Sequence, residues 1–90
     1  MKILIEIDYL GRHSEIGQSG DFEVDAQEFS IEPDKEAARV AYGFLQYIKR
    51  TMTVQRIRKV VYNGENDITQ LVIDMEDTIK SKLQGEDELN

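Results

Sequence analysis

Lys2-Ile3-Leu4-Ile5-Glu6-Ile7-Asp8-Tyr9-Leu10 alternates, with Ile3, Ile5, Ile7 and Tyr9 on one side and Lys2, Glu6 and Asp8 on the other. Successive side chains of a strand point to opposite faces, so a period of two predicts a β-strand with one face on a core and the other in water. A half-buried strand needs a layer to cover its apolar side, and the rest of the chain must supply it.

Downstream, Gly11, Gly17 and Gly20 punctuate a polar stretch that reads as a loop. Asp21-Phe22-Glu23-Val24-Asp25-Ala26 then alternates again, with its acids on one side. This predicts a second strand, paired antiparallel with the first across a long loop. Pro33 suits the first turn of a helix because its missing N–H has no partner there, and Asp34 and Glu36 complement the positive end of the helix dipole. Ala37, Val40, Ala41, Phe44, Leu45, Ile48 and Met52 recur every three or four residues, which predicts a helix over 33–52 with a broad apolar stripe.

Residues 57–62 are rich in β-branched side chains and end at Asn63-Gly64, a turn signal, so they read as a third strand. Its register stays open. If Val60 and Tyr62 face inward, Arg58 must lie near the strand end; if Ile57 and Val61 do, Lys59 is awkward. Asp67 followed by Gln70 resembles a capping box, and Ile68, Leu71, Val72, Met75, Ile79 and Leu83 then share one helical face up to about Gln84. Gly85 reads as a stop. Glu86-Asp87-Glu88-Leu89-Asn90 is too poor in apolar residues to order itself.

The elements predict an α+β fold in the order β-β-α-β-α, a two-layer domain with a three-stranded sheet and two helices on one face. Residues 1–84 form the single domain and 85–90 an acidic flexible tail. If strands two and three are parallel neighbours, the helix between them makes a right-handed crossover. With 90 residues there is room for one core only, and so small a core leaves a homodimer open as a source of added stability.

The chain has no cysteine, which suits a reducing compartment and removes disulfides, thiolate metal sites and cysteine nucleophiles. Glu6 and Asp8 interrupt the first apolar run before a signal-peptide core forms, and no stretch approaches the ~20 apolar residues of a membrane span. A cytoplasmic location with no membrane partner is the expectation.

His13, the single histidine, stands beside Ser14 and Glu15 in the glycine-rich stretch; adjacent side chains rarely converge as a triad must, so it reads as a surface residue. Asn63-Gly64-Glu65-Asn66-Asp67 lacks EF-hand spacing and is better explained as a turn leading to a cap. The glycines match neither phosphate-binding pattern. No catalytic residue, metal or cofactor is therefore expected, and an active site assembled across a homodimer is the one catalytic route left open.

Charge is the informative feature. The net charge is −7, yet residues 35–62 carry seven bases and one acid, between flanks holding nine acids with two bases and eight acids with two bases. Two readings follow. In the first, Glu6, Asp8, Asp21, Glu23 and Asp25 share the outward face of the strand pair and bind a protein partner with a basic surface; size and acidity then suit a small regulatory module of phage or mobile-element type. In the second, Lys35, Arg39, Tyr42, Lys49, Arg50, Arg56, Arg58 and Lys59 grip nucleic-acid phosphates. The whole-chain charge opposes the second. So does a simpler role for the cations, which Asp74, Glu76 and Asp77 on the last helix are placed to neutralise.

Overall fold

In the computed structural model, which describes residues 1–89 and the side chains of residues 1–80, Lys2–Leu10 forms strand β1. Ile3, Ile5, Ile7 and Tyr9 are each no more than 1 % exposed, as the alternation requires. The Tyr9 hydroxyl, carried into the core with its ring, accepts a hydrogen bond from Gln18 Nε2 at 2.7 Å.

Strand β2 (Glu15–Glu23) pairs antiparallel with β1 without a shift from Leu10↔Glu15 to Lys2↔Glu23. It starts well before Asp21, and the hairpin loop is only Gly11–Ser14, closed by the Gly11 N–H on the Ser14 carbonyl at 2.8 Å. Gly11 stays in the loop, but Gly17 and Gly20 lie inside the strand, where neighbours fill the space their side chains would take. An Asp8 carboxylate oxygen sits 2.8 Å from where a Cβ on Gly17 would stand, and the Phe22 ring comes within 3.0 Å of the corresponding point on Gly20.

A short helix, α1 (Ala26–Ile31), follows, with Asp25 as its N-cap. Helix α2 (Pro33–Thr51) begins at Pro33 as predicted and buries Ala37, Ala38, Ala41, Phe44, Leu45 and Ile48. Val40 is half-buried, and Met52, past the helix end, is exposed. Lys49 and Arg50 occupy its last turn, where carbonyl oxygens favour cations.

Strand β3 (Arg56–Tyr62) pairs antiparallel with the other side of β1, and its register resolves the conflict between Arg58 and Lys59. Asp8 faces Lys59 but Tyr9 faces Ile57, so Arg58 is the extra residue of a β-bulge. The bulge lets Val60 and Tyr62 point inward together with half-buried Ile57, while Arg58 and Lys59 both stay in water. After the turn at Asn63 (φ 50°) and Gly64 (φ 86°), a two-residue strand β4 (Asn66–Asp67) returns along β3. Asn63 clamps β1 twice: its N–H donates to the Leu4 carbonyl at 2.9 Å, and its Oδ1 accepts the Leu4 N–H at 3.1 Å.

Helix α3 (Thr69–Leu89) buries Val72 and, just before it, Ile68. Met75 is half-buried, whereas Leu71 and Ile79, expected on the same face, are 42 % and 38 % exposed. Asp67 does not build a capping box with Gln70. It accepts the N–H and hydroxyl of Thr69 at 2.9 and 2.6 Å, while Gln70 donates to Asp74. Gly85 does not stop the helix, which runs on to Leu89, while the side chains of Leu83 and of the acidic segment 85–90 lie outside the described residues.

The five predicted elements thus stand in the predicted order with α1 and β4 added, giving an antiparallel four-stranded sheet β2-β1-β3-β4 in place of three strands. Strands β2 and β3 run parallel to each other but are separated by β1, so the connection through the helices passes over β1 rather than joining neighbours. One core cluster joins Ile3, Ile5, Ile7, Tyr9, Val60 and Tyr62 to the inner sides of α2 and α3, which places the helices on one face of the sheet.

Candidate functional site

The other face of the sheet is open. Register places Lys2, Leu4, Glu6, Asp8 and Leu10 of β1 on it, beside Glu23, Asp21, Ser19, Gly17 and Glu15 of β2. Glu6, Asp8, Glu15, Asp21 and Glu23 are all exposed. Four of the five residues proposed as an acidic surface are therefore brought together. Asp25 is not: the chain has left β2, and its carboxylate caps α1 by accepting the Glu28 N–H at 3.0 Å. Glu15 takes its place on the face, and its reading as loop hid it from the sequence pattern.

The face is polarised. Toward β3 it carries Arg56 beside Leu10, Lys59 beside Asp8 and the bulged Arg58, whose Nε reaches Glu15 at 3.0 Å across the central strand. Toward β2, Glu23 contacts the N-terminal ammonium at 3.0 Å, while Glu6 and Asp21 have no ion pair among the described residues. Leu4, 36 % exposed, sits directly opposite Asp21 and gives the acidic half an apolar centre.

The eight residues of the nucleic-acid reading separate. Lys35 and Arg39, in the first half of α2, pair with Glu32 at 3.6 Å and Glu36 at 2.6 Å. Lys49 pairs with Glu76 across the α2–α3 contact, as expected for neutralisation between helices. Between Arg39 and Lys49 the helix advances about 15 Å, so the two pairs belong to different ends of α2. Arg50 is exposed behind Lys49, and Tyr42 is half-buried. Arg56, Arg58 and Lys59 belong to β3. Arg56 and Arg58 border, with Lys49, Ile73, Glu76 and Lys80, a groove of about 460 Å³ where α2, β3 and α3 meet.

The most deeply buried ionic group among the described residues was read from the sequence only as a complement to the helix dipole. Glu36 is 5 % exposed; it accepts Arg39 Nε and Nη2 at 2.7 and 2.6 Å and the Asp25 N–H at 2.7 Å. The hydrogen-bonded Arg39 guanidinium holds its carboxyl down to about 2 against the opposing effect of burial. A charge with all its partners in place is a structural tie. The signal was Glu36 and Arg39 three residues apart at the edge of the apolar stripe.

His13 lies exposed in the hairpin loop. Among the described residues there is no group of three His, Asp or Glu placed to hold a metal ion, and no helix is long and apolar enough to cross a membrane. No protein-family model, curated protein or solved structure matches the chain.

Proposed function

We propose that this protein is a non-catalytic interaction module that receives a basic protein surface on the β2 side of its open sheet face. The observation that carries the reading is the juxtaposition of Glu6, Asp8, Asp21 and Glu23 on two adjacent strands, exposed on the face opposite the helices, with Leu4 among them. A rigid sheet fixes the spacing of these carboxylates, and such an array raises the rate of encounter with a cationic partner and makes it salt-dependent.

The competing nucleic-acid reading draws less support. Four of its seven cations already sit in ion pairs with glutamates, and the set spans both ends of α2 as well as β3. Affinity capture on the tagged protein at low and moderate salt, with and without nuclease, separates the two. A stoichiometric protein partner that survives nuclease and is released by salt supports the acidic face; material that nuclease removes overturns it in favour of phosphate binding.

A further inference from the structure

Strand β2 is an edge of the sheet for its whole nine residues, with no proline and no bulge. The Val24 N–H donates to the Met1 carbonyl and the Gly11 N–H to that of Ser14, which fixes the alternation of the ladder. Even-numbered residues of β2 bond to β1, and the N–H and C=O groups of Glu15, Gly17, Ser19, Asp21 and Glu23 therefore point away from the sheet. Folded proteins normally shorten, bend or cover such an edge.

The two flanks of this edge differ. On the open face stand the carboxylates of Glu15, Asp21 and Glu23. On the helix side, a groove of about 520 Å³ runs between β2 and α2, lined by Phe22, Val40, Gly43, Phe44 and Tyr47 together with the charged Glu23 and Arg39. Tyr47 is 59 % exposed, Phe22 and Val40 are half-buried, and a Cβ on Gly43 would meet nothing within 4 Å. A strand added to β2 would send alternate side chains to these two sides.

We infer that β2 is a docking edge for an extended segment of the partner, with lysine or arginine at alternate positions and apolar residues between them. The main-chain ladder would supply affinity, the carboxylates would select the basic residues, and the groove would take the apolar ones. A second copy of this chain fits the edge poorly. Antiparallel pairing of β2 about Ser19 sets Glu15 against Glu23 of the other copy on the same face, and like charges directly opposite are destabilising. The inference rests on the reading of the acidic face and adds the main-chain ladder to it.

The test uses the full chain, ¹⁵N-labelled, and a synthetic peptide matching the nine residues of β2 in length, alternating lysine with valine. A second peptide of the same sequence is N-methylated on the amides that would face β2. Slowed hydrogen exchange at Gly17, Ser19 and Asp21 with the first peptide, and at least about tenfold weaker binding of the second, is the expected result, since several ladder hydrogen bonds are lost. Ser19→Pro, which removes an outward N–H without touching the β1 ladder, should give the same loss with the unmethylated peptide. Equal binding of both peptides, with shifts centred on Glu6 and Asp8, overturns the docking edge but leaves the acidic-face reading standing. Absence of binding by either peptide at low salt overturns both. Protection of the β2 amides in the free protein that grows with its concentration assigns the edge to a second copy and also overturns the inference.

Discussion

The carboxylate of Glu36 in α2 accepts the backbone N–H of Asp25 at 2.7 Å, fastening the corner where the chain leaves β2 to the first turn of the main helix. Arg39 braces the same carboxylate through two further hydrogen bonds. The folded-state pKa, about 2, lies below the ordinary value of 4.5, so the stabilisation is complete above 4.5 and is lost as pH falls through 2. Glu36→Gln should cost about 1–3 kcal/mol at neutral pH, the range for breaking a satisfied buried polar contact. Urea unfolding at a series of pH values should show wild-type stability falling between pH 4.5 and 2 more steeply than that of the variant. Parallel curves for the two proteins would remove Glu36 as the source of that slope.

Tyr62 gives the opposite sign at the other end of the pH scale. Its ring is buried against Phe29, edge to face at 5.9 Å, and its hydroxyl donates to Asp34 Oδ1 at 2.5 Å. Burial, then the Asp34 carboxylate, pushes the phenol up from 10.0 to about 12. Its contribution is thus whole below pH 10 and is lost as pH rises through 12. Tyr62→Phe should lower neutral-pH stability by about 0.5–1.5 kcal/mol and flatten the alkaline limb. Thermal unfolding followed by circular dichroism from neutral to alkaline pH reads both effects; an unchanged alkaline limb in the variant contradicts them.

Much of this architecture was legible because burial and period coincide. Ile3, Ile5, Ile7 and Tyr9 form the centre of the sheet, and Ala37, Ala41, Phe44, Leu45 and Ile48 form the helix face above it. Misreadings arose where local signals carry a second meaning. Gly17 and Gly20 indicate a turn in isolation, yet here they make room for Asp8 and Phe22. Helix α1, only six residues long, is too short to form on propensity alone and depends on the Asp25 cap and on Phe29 packing against Tyr62. The β3 bulge breaks the period of two at the place where Arg58 and Lys59 had to avoid the core. Grouping acids by strand face recovered four of the surface carboxylates, but nothing in the alternation of 21–26 reveals that the strand ends at Glu23.

Gly43 offers a test of the groove beside β2. It lies in the middle of α2, its φ is not positive, and a Cβ there would meet no atom within 4 Å. Neither turn geometry nor packing requires glycine at this position. Gly43→Ala should therefore stabilise the protein by roughly 0.5–1 kcal/mol through helix propensity. For a domain of this size that corresponds to a Tm higher by about 2–8 °C in a calorimetric scan. A lower Tm would mean that the helix approaches a neighbour more closely than the structure shows.

Asp21 and Asp25 fell in one alternating run of acids, and their separation in the fold leads to opposite expectations for two substitutions. Asp21 stands exposed on the open face opposite Leu4, with no ion pair among the described residues. Asp21→Lys should leave stability within about 0.5 kcal/mol, as is usual for surface positions. It should nevertheless weaken capture of a basic partner, more at low salt than at high salt because screening already weakens the wild-type attraction. Asp25 instead holds the first turn of α1, so Asp25→Ala should cost about 0.5–2 kcal/mol of stability. With the Glu36 contact made through its backbone N–H, the same variant keeps that tie and should capture the partner as wild type does. Urea unfolding and salt-dependent capture on both variants give a crossed pattern: stability lost with binding kept for Asp25→Ala, stability kept with binding lost for Asp21→Lys. If Asp25→Ala instead loses capture while Asp21→Lys retains it, the partner docks at the α1 corner and the open sheet face is not the binding surface.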